Sequence, residues 1–454
     1  MNVPEGYGKV YPSDTPHRTP RVRLRNTKKT MKKILLMIYM LYACGMNAQE
    51  YTLAQLQEMA VQNNRTLKNA RLGIDAAEED KAKARTNYFP QVSATGVGFH
   101  GFDDLVQSTM DVPGMGALDM AMVKKGVVGS VMAVQPIFQG GQIVTGNKLA
   151  ALQEEVSQLQ LRMSEKDVAL QVAQYYWQII SLQSNIATLD SVKVQLDEVH
   201  RLTDNYVKAG VTTRNDLLRV ELKQQEVASS RLELENGISI LKLLLAQQVG
   251  MGEGDYQLTL SASFLSPSLP TTFLRDKDEA VVNREEYVLS QKNEEAQRLN
   301  VRMERGKLLP SVAVGVNGFY QSIDHDDQTN GLVFATLSVP ISDWWGGSHA
   351  VRKAKRQRLQ AENDRLDARE KLAIDLQSAW NNMEEAYKQI DIARTSVESA
   401  NENLRMERNF YAVGTTTLTD LLDAVTLYTQ AESRLVTACA TYQTRIAEYQ
   451  RKAQ

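Results

Sequence analysis

The chain has 454 residues and a formal net charge of -2, so it offers no basic field of the kind that holds nucleic acid. Two cysteines, Cys44 and Cys439, exclude a disulfide framework and a cysteine-type metal site, and five histidines stand singly without metal-ligand spacing. With no P-loop, dinucleotide fingerprint or nucleophile elbow, the sequence assigns no enzyme chemistry, metal or cofactor.

The first element in chain order is a targeting signal. Residues 1–30 are Pro/Arg-rich and precede a second start at Met31, followed by Lys32-Lys33, the apolar run 34–43 and small residues before Gln49. That layout is a secretory signal peptide, its run too short for a spanning helix. Cleavage after Ala48 is the preferred reading. Lipid attachment at Cys44, within Leu41-Tyr42-Ala43-Cys44, is the alternative, and the choice between Met1 and Met31 stays open.

The remainder is written twice. Residues 49–249 form a first repeat, 250–273 a linker with a little strand character, and 274–454 a second repeat. "NYFPQVSATGVGF" at 87–99 corresponds to "KLLPSVAVGVNGF" at 307–319, and "VQPIFQGG" at 134–141 to "SVPISDWWGG" at 338–347. Each half reads as helix, strand pair, Gly-Gly, very long helix, glycine tip and return helix. The strand pairs fall at about 91–138 and 311–341, the first with a longer, Met-rich loop at 103–125. Val312, Val314, Val316 and Tyr320 alternate with Ser311, Ala313, Gly315 and Asn317; Val333, Ala335 and Leu337 alternate with Leu332, Phe334 and Thr336. This is spanning length with the weak period of a membrane barrel.

Residues 147–209, 348–413 and 415–454 contain neither Pro nor Gly. Within them Val172, Tyr176, Ile179 and Ile186, and Leu376, Trp380, Met383, Tyr387 and Ile390, follow the 4-3 steps of coiled-coil packing. The first two runs would each reach about 95–100 Å. The tips, "NYVKAGVTTRNDLL" at 205–218 and "NFYAVGTTTLTDLL" at 409–422, align Gly210 with Gly414 and Asp216 with Asp420. Four strands cannot close a barrel, because every edge in lipid must be paired and the smallest barrels have eight strands. Spanning therefore requires several copies. Trp344 and Trp345 suit a membrane-interface girdle.

These duplicated tips and Pro-strand-Pro-Gly-Gly blocks, with "YTLAQLQEMAVQNNRTLKNARLGIDAA" at 51–77, resemble the TolC-like outer-membrane efflux proteins over residues 50–450. The resemblance implies a mainly α chain with membrane β, whose homotrimer forms a 12-stranded barrel in Gram-negative outer-membrane lipid and a periplasmic helical tunnel. It also implies docking to a periplasmic adaptor and an inner-membrane pump, in efflux or type I secretion. On that pattern Asp420 and Asp423 would project carboxylate rings into the entrance. Asp216 and Tyr411 would belong to the network that holds it shut. Gly210, Val211, Gly414 and Thr415 would meet the adaptor. Thr416 departs from the family, whose best-known members carry an arginine there.

Plainer readings stand beside these. Asp216 and Asp420 suit helix caps equally well, whereas Asp423, with Arg219 opposite it in the repeat, does not. "DHDD" at 324–327 reads as a polar hairpin loop. "VRKAKRQR" at 351–358 reads as a solvated helical face near the membrane, with lipid or partner contact as the alternative. Cys439 reads as a buried small hydrophobe. The rival function is a periplasmic coiled-coil adaptor without a pore, which would carry one helical hairpin rather than two.

Overall fold

The computed structural model describes residues 49–453 except 103–106, 113–115, 122–124, 253–255, 261–263 and 324–325. The signal segment, Cys44, Ala48 and both candidate starts lie outside the described residues. The chain divides into two compact units. The smaller comprises residues 1–50 and 255–257, and its described residues lie on β1 (Gln49–Tyr51) and β6 (Tyr256–Leu258), which pair.

The larger unit repeats one plan. Its first half runs α1 (Leu53–Asn63), α2 (Arg65–Thr86), β2 (Gln91–His100), β3 (Gln107–Val112), β4 (Gly116–Ala121), β5 (Lys125–Gln139), α3 (Gln142–Lys208) and α4 (Arg214–Val249). The second runs α5 (Lys277–Asn283), α6 (Glu285–Gly306), β7 (Ser311–Ile323), β8 (Asp326–Ser338), α7 (Asp343–Ala412) and α8 (Leu418–Ala453). Helix starts are encoded locally: Thr52 and Gln55 form a capping box on α1, and the Asn64 carboxamide oxygen accepts from the Thr66 and Leu67 N–H groups on α2. Helices α3 and α7, of 67 and 70 residues, extend about 100 Å each.

The 4-3 seams face inward. Val172, Tyr176, Ile179, Leu376, Met383 and Ile390 are buried, as is Cys439. Trp380 and Tyr387 are half-buried, their rings against Tyr449 and Tyr442 at 5.4 and 5.3 Å. From the linker, Phe264 stacks on Trp177 at 5.9 Å.

The four long strands form one antiparallel sheet in the order β2-β5-β7-β8, so β5 and β7 join the two halves and β2 and β8 are left as edges. Directly opposed residues share a face. One face carries Val92, Val131, Ala133, Val316, Val333 and Ala335, while the other carries Ser93, Thr95, Ser130, Asn317, Asn330 and Thr336. The first side is thus predominantly apolar, whereas the second mixes its polar residues with Met132, Phe319, Leu332 and Phe334.

Three details differ from the sequence reading. The segment taken as a loop at 103–125 contains the paired strands β3 and β4. Asp326 and Asp327, read as part of a loop at 324–327, lie in β8 opposite Ile323 and Ser322, while 324–325 lie outside the described residues. The two Gly-Gly sites are not equivalent: Gly140 and Gly141 precede α3 with φ of 59° and 76°, whereas Gly346 and Gly347 lie inside α7. Close approach is to backbone at the first site and to a side-chain tip at the second. A Cβ on Gly140 would meet the Gly306 carbonyl oxygen at 2.0 Å, and one on Gly347 would meet Leu308 Cδ2 at 2.1 Å.

Candidate functional site

At the end remote from the sheet, each hairpin closes in the same way. Gly210 and Gly414 adopt φ of 73° and 75°, conformations that glycine reaches without a Cβ penalty. The Gly210 N–H donates to the Val207 carbonyl at 3.0 Å and the Val211 N–H to Tyr206 at 2.9 Å. The second tip copies this, Gly414 to Tyr411 at 3.0 Å and Thr415 to Phe410 at 2.9 Å. Both are Schellman closures, which satisfy the carbonyls a helix end leaves unpaired. Gly210, Val211, Gly414 and Thr415 are all exposed, so the tips present bare backbone and an uncovered valine to any partner.

Each return helix then carries an aspartate as its third residue. Asp216 Oδ2 accepts from the Thr212 hydroxyl, from the Thr213 hydroxyl at 3.1 Å and from the Thr213 N–H at 3.4 Å. Asp420 Oδ2 accepts from the Thr417 hydroxyl at 2.6 Å, the Thr417 N–H at 3.3 Å and the Thr416 hydroxyl at 3.2 Å. Thr416 also lies 2.9 Å from Glu407 Oε2, and its single proton must choose between the two carboxylates. The Thr212 hydroxyl, then Thr213 and the Arg219 charge, hold the Asp216 carboxyl below the usual range. The Thr417 hydroxyl and N–H, then Thr416, do the same for Asp420. Both aspartates are therefore the third-residue partners of capping boxes whose cap positions are Thr213 and Thr417. Asp423, one turn further on, is exposed and makes no hydrogen bond or ion pair among the described residues.

The hairpins meet through a small set of polar bonds. Tyr411 is buried and its hydroxyl lies 2.9 Å from the buried Thr203 hydroxyl, while Asp216 is occupied by its own cap. Burial raises the Tyr411 phenol, and the nearby Asp216 charge adds to that effect. Tyr206 donates from its hydroxyl to the Ala412 carbonyl at 2.8 Å and packs edge-on against Tyr411. Arg219 donates to the Thr419 hydroxyl at 2.8 Å. Beneath them lies an apolar cluster that includes Val199, Val220, Leu418 and Leu421.

The sequence reading gave no site role to Thr203, Tyr206, Arg219, Thr419 or Glu407, and noted Arg219 only as the residue opposite Asp423. The signal that could have found three of them is where the copies disagree: Thr203 aligns with Glu407 and Arg219 with Asp423. At the other end of α7, Trp344 donates its indole N–H to the Leu308 carbonyl at 3.0 Å, and Trp345 is 74% exposed.

Removing the cap carboxylate of Asp216 should cost the first tip about 1 kcal/mol. In the Asp216→Ala protein, amide exchange over residues 213–217 should accelerate about fivefold, with Asp216→Asn retaining most of the protection.

Among the described residues no helix is long and apolar enough to cross a membrane, which leaves the sheet as the element to consider. A family model described as outer membrane efflux protein matches residues 56–240 and 278–450. Outer membrane efflux protein BepC of Brucella suis is 22% identical over 386 residues, covering 84% of this chain and 80% of that protein. Outer membrane protein TolC of Salmonella enteritidis is 21% identical, covering 91% and 84%. The solved structure of CusC, described with its transmembrane channel formation, superposes with a TM-score of 0.75 at 14% identity, over 90% of this chain and 94% of that one.

Proposed function

The chain belongs to the outer membrane efflux protein family, and on that premise we propose that it is the exit duct of a tripartite efflux or secretion assembly. It is a passive channel of the Gram-negative outer membrane with a periplasmic tunnel, and not an enzyme. Three copies, at four strands each, would close one twelve-stranded barrel and remove the free edges of β2 and β8. The apolar side of the sheet would then meet lipid and the mixed side the lumen. The tips of the long helices would form the periplasmic entrance.

One observation carries this reading: two matched glycine tips sit at the ends of helices about 100 Å long, rooted in an unclosed sheet with one apolar face. The pore-free adaptor alternative is disfavoured by the second hairpin and by the sheet.

At the entrance, Asp420 and Asp423 from three copies would form carboxylate rings that favour cations and impede anions. Asp423 is the freer group, since Asp420 is engaged in its cap. The closed state would rest on Tyr411–Thr203, Tyr206–Ala412 and Arg219–Thr419, with Asp216 and Thr416 ordering their own turns. Arg219, from the first hairpin, supplies the charged donor that Thr416 does not. The exposed tip residues Gly210, Val211, Gly414 and Thr415 would meet the adaptor, and an inner-membrane pump would supply the energy.

Single-channel recording in a planar bilayer tests this. The wild-type protein should pass a small cation-selective current, and Asp420→Ala/Asp423→Ala should bring its cation/anion permeability ratio toward unity. A pore of unchanged selectivity would move the constriction elsewhere, and no pore from folded protein would reject the channel.

A further inference from the structure

We propose that the outward arc of the first turns of α7, centred on Trp345, Arg352, Lys353, Lys355 and Arg356, is a binding surface for anionic phospholipid headgroups of the periplasmic leaflet. The inference rests on the sheet crossing the outer membrane, which the conductance experiment tests separately.

The arc is defined by helix geometry. Arg352 lies seven residues after Trp345 and Arg356 eleven, so all three share one face, with the cations about 10 and 16 Å along the axis from the indole. Arg352, Lys353, Lys355 and Arg356 are exposed, while Ala354 and Ala361 face the protein. Because α7 begins where the sheet ends, its N-terminus is the membrane end. Helical side chains lean toward the N-terminus, which aims these long cations back at the bilayer surface.

A solvated helical face does not account for the pattern. Such faces mix both signs, yet no Asp or Glu occurs between Asp343 and Glu362. Arg352 and Arg356 are four apart, and Arg352/Lys355 and Lys353/Arg356 three apart, spacings at which like charges repel. Among the described residues Lys353, Lys355 and Arg356 form no ion pair, and the Arg352 guanidinium reaches only the Ser348 hydroxyl, at 3.5 Å. Helix α6, which packs on α7, carries the exposed cations Arg302 and Arg305 in its last turns, and its Glu304 is taken by Lys307 at 2.7 Å. The surface is thus a concentration of unneutralised cations beside an exposed tryptophan, at the depth where phosphates of a spanning protein's annular lipid lie. Phosphate diesters supply the missing anions, and the indole sits at the headgroup level where amphipathic rings are favoured.

The test is thermal unfolding of the detergent-purified full chain titrated with phosphatidylglycerol, phosphatidylcholine or inorganic phosphate. Phosphatidylglycerol should raise the midpoint where phosphatidylcholine does not, and about 0.5 M NaCl should suppress the difference. In Arg352→Gln/Lys353→Gln/Lys355→Gln/Arg356→Gln, phosphatidylglycerol affinity should fall about fivefold per cation removed. If that variant fails to assemble, Lys353→Gln/Lys355→Gln carries the same comparison. No preference for phosphatidylglycerol in the wild type, full retention in the variants, or equal stabilisation by inorganic phosphate would each overturn the proposal. A variant that loses the lipid preference yet conducts in neutral lipid supports the surface and leaves the channel reading intact.

Discussion

Replacing Arg284 with Ala should lower the stability of the folded chain by about 3 kcal/mol, seen as an earlier unfolding transition by circular dichroism. Arg284 stands at the junction of α5 and α6 and is only 4% exposed. Its guanidinium donates to Glu286 at 3.2 and 3.3 Å and to Asp375 of α7 at 3.0 Å. The chain of charges continues at both ends. Arg451 of α8 joins Glu286 to Asp167 of α3, and Lys452 bonds Asp375 at 2.6 Å. Six alternating charges therefore tie four helices together at the level of the linker. Removing the central cation empties a buried position between two carboxylates that are themselves 25% and 40% exposed. The cost falls at the low end of the range for a broken buried pair because Glu286 and Asp375 keep Arg451 and Lys452. Arg284→Lys should recover part of the loss, since a single ammonium cannot serve both carboxylates with a planar fork.

The same network sets an acid limit. Burial alone would raise the Glu286 carboxyl, but hydrogen bonds from Arg284 and Arg451 overcome it and hold the group at about 2, against an ordinary value of 4.5. A carboxylate held low stabilises the fold fully above its unfolded value, and that contribution is lost as the folded group takes up its proton. Stability should thus fall as pH drops from about 5 toward 2. In Glu286→Gln the unfolding midpoint should be lower at neutral pH and vary less across that window. Equal slopes for the two proteins would assign the acid sensitivity to other carboxylates.

How far the sequence reveals this molecule depends on the range of the interaction. Gly210, Gly414 and the Thr-Thr-x-x-Asp runs that follow them are local signals: the turn, its Schellman closure and its cap are all written within about ten residues, and twice. The alternation of Val312, Val314 and Val316 likewise shows a face. What stayed hidden joins residues far apart. Thr203 and Tyr411 are separated by 208 positions and Arg219 and Thr419 by 200, so no spacing rule connects them. The resemblance groups Tyr411 with Asp216 in one network, whereas the Tyr411 hydroxyl bonds Thr203 and Asp216 spends its carboxylate on its own helix. The Arg284 network has the same character, with each charge ordinary in its own segment. The β3–β4 hairpin was missed for another reason. Its strands are six residues each and lack the regular apolar alternation of the longer pairs.

The facing of the sheet yields the second large effect. Val333→Arg should cost about 2–4 kcal/mol per chain and sharply reduce recovery of assembled protein from the outer membrane, because an arginine on the lipid side near mid-strand must be stripped of water. Val333 is 81% exposed in the single chain and opposes Val316, within a row that continues through Ala133 to Val92. A valine row this bare can persist only if something apolar covers it. The period of two supplies its own control one residue away. Leu332 opposes Asn317 on the mixed face, so Leu332→Arg places the same side chain toward the lumen, where its charge stays hydrated. Membrane fractions should contain assembled Leu332→Arg protein near the wild-type level and little Val333→Arg. If the order were reversed, the sheet would be inside out and the apolar row would line the pore. If both variants assembled equally, Val333 would lie outside the hydrocarbon depth, and the spanning band would have to be sought nearer the strand ends.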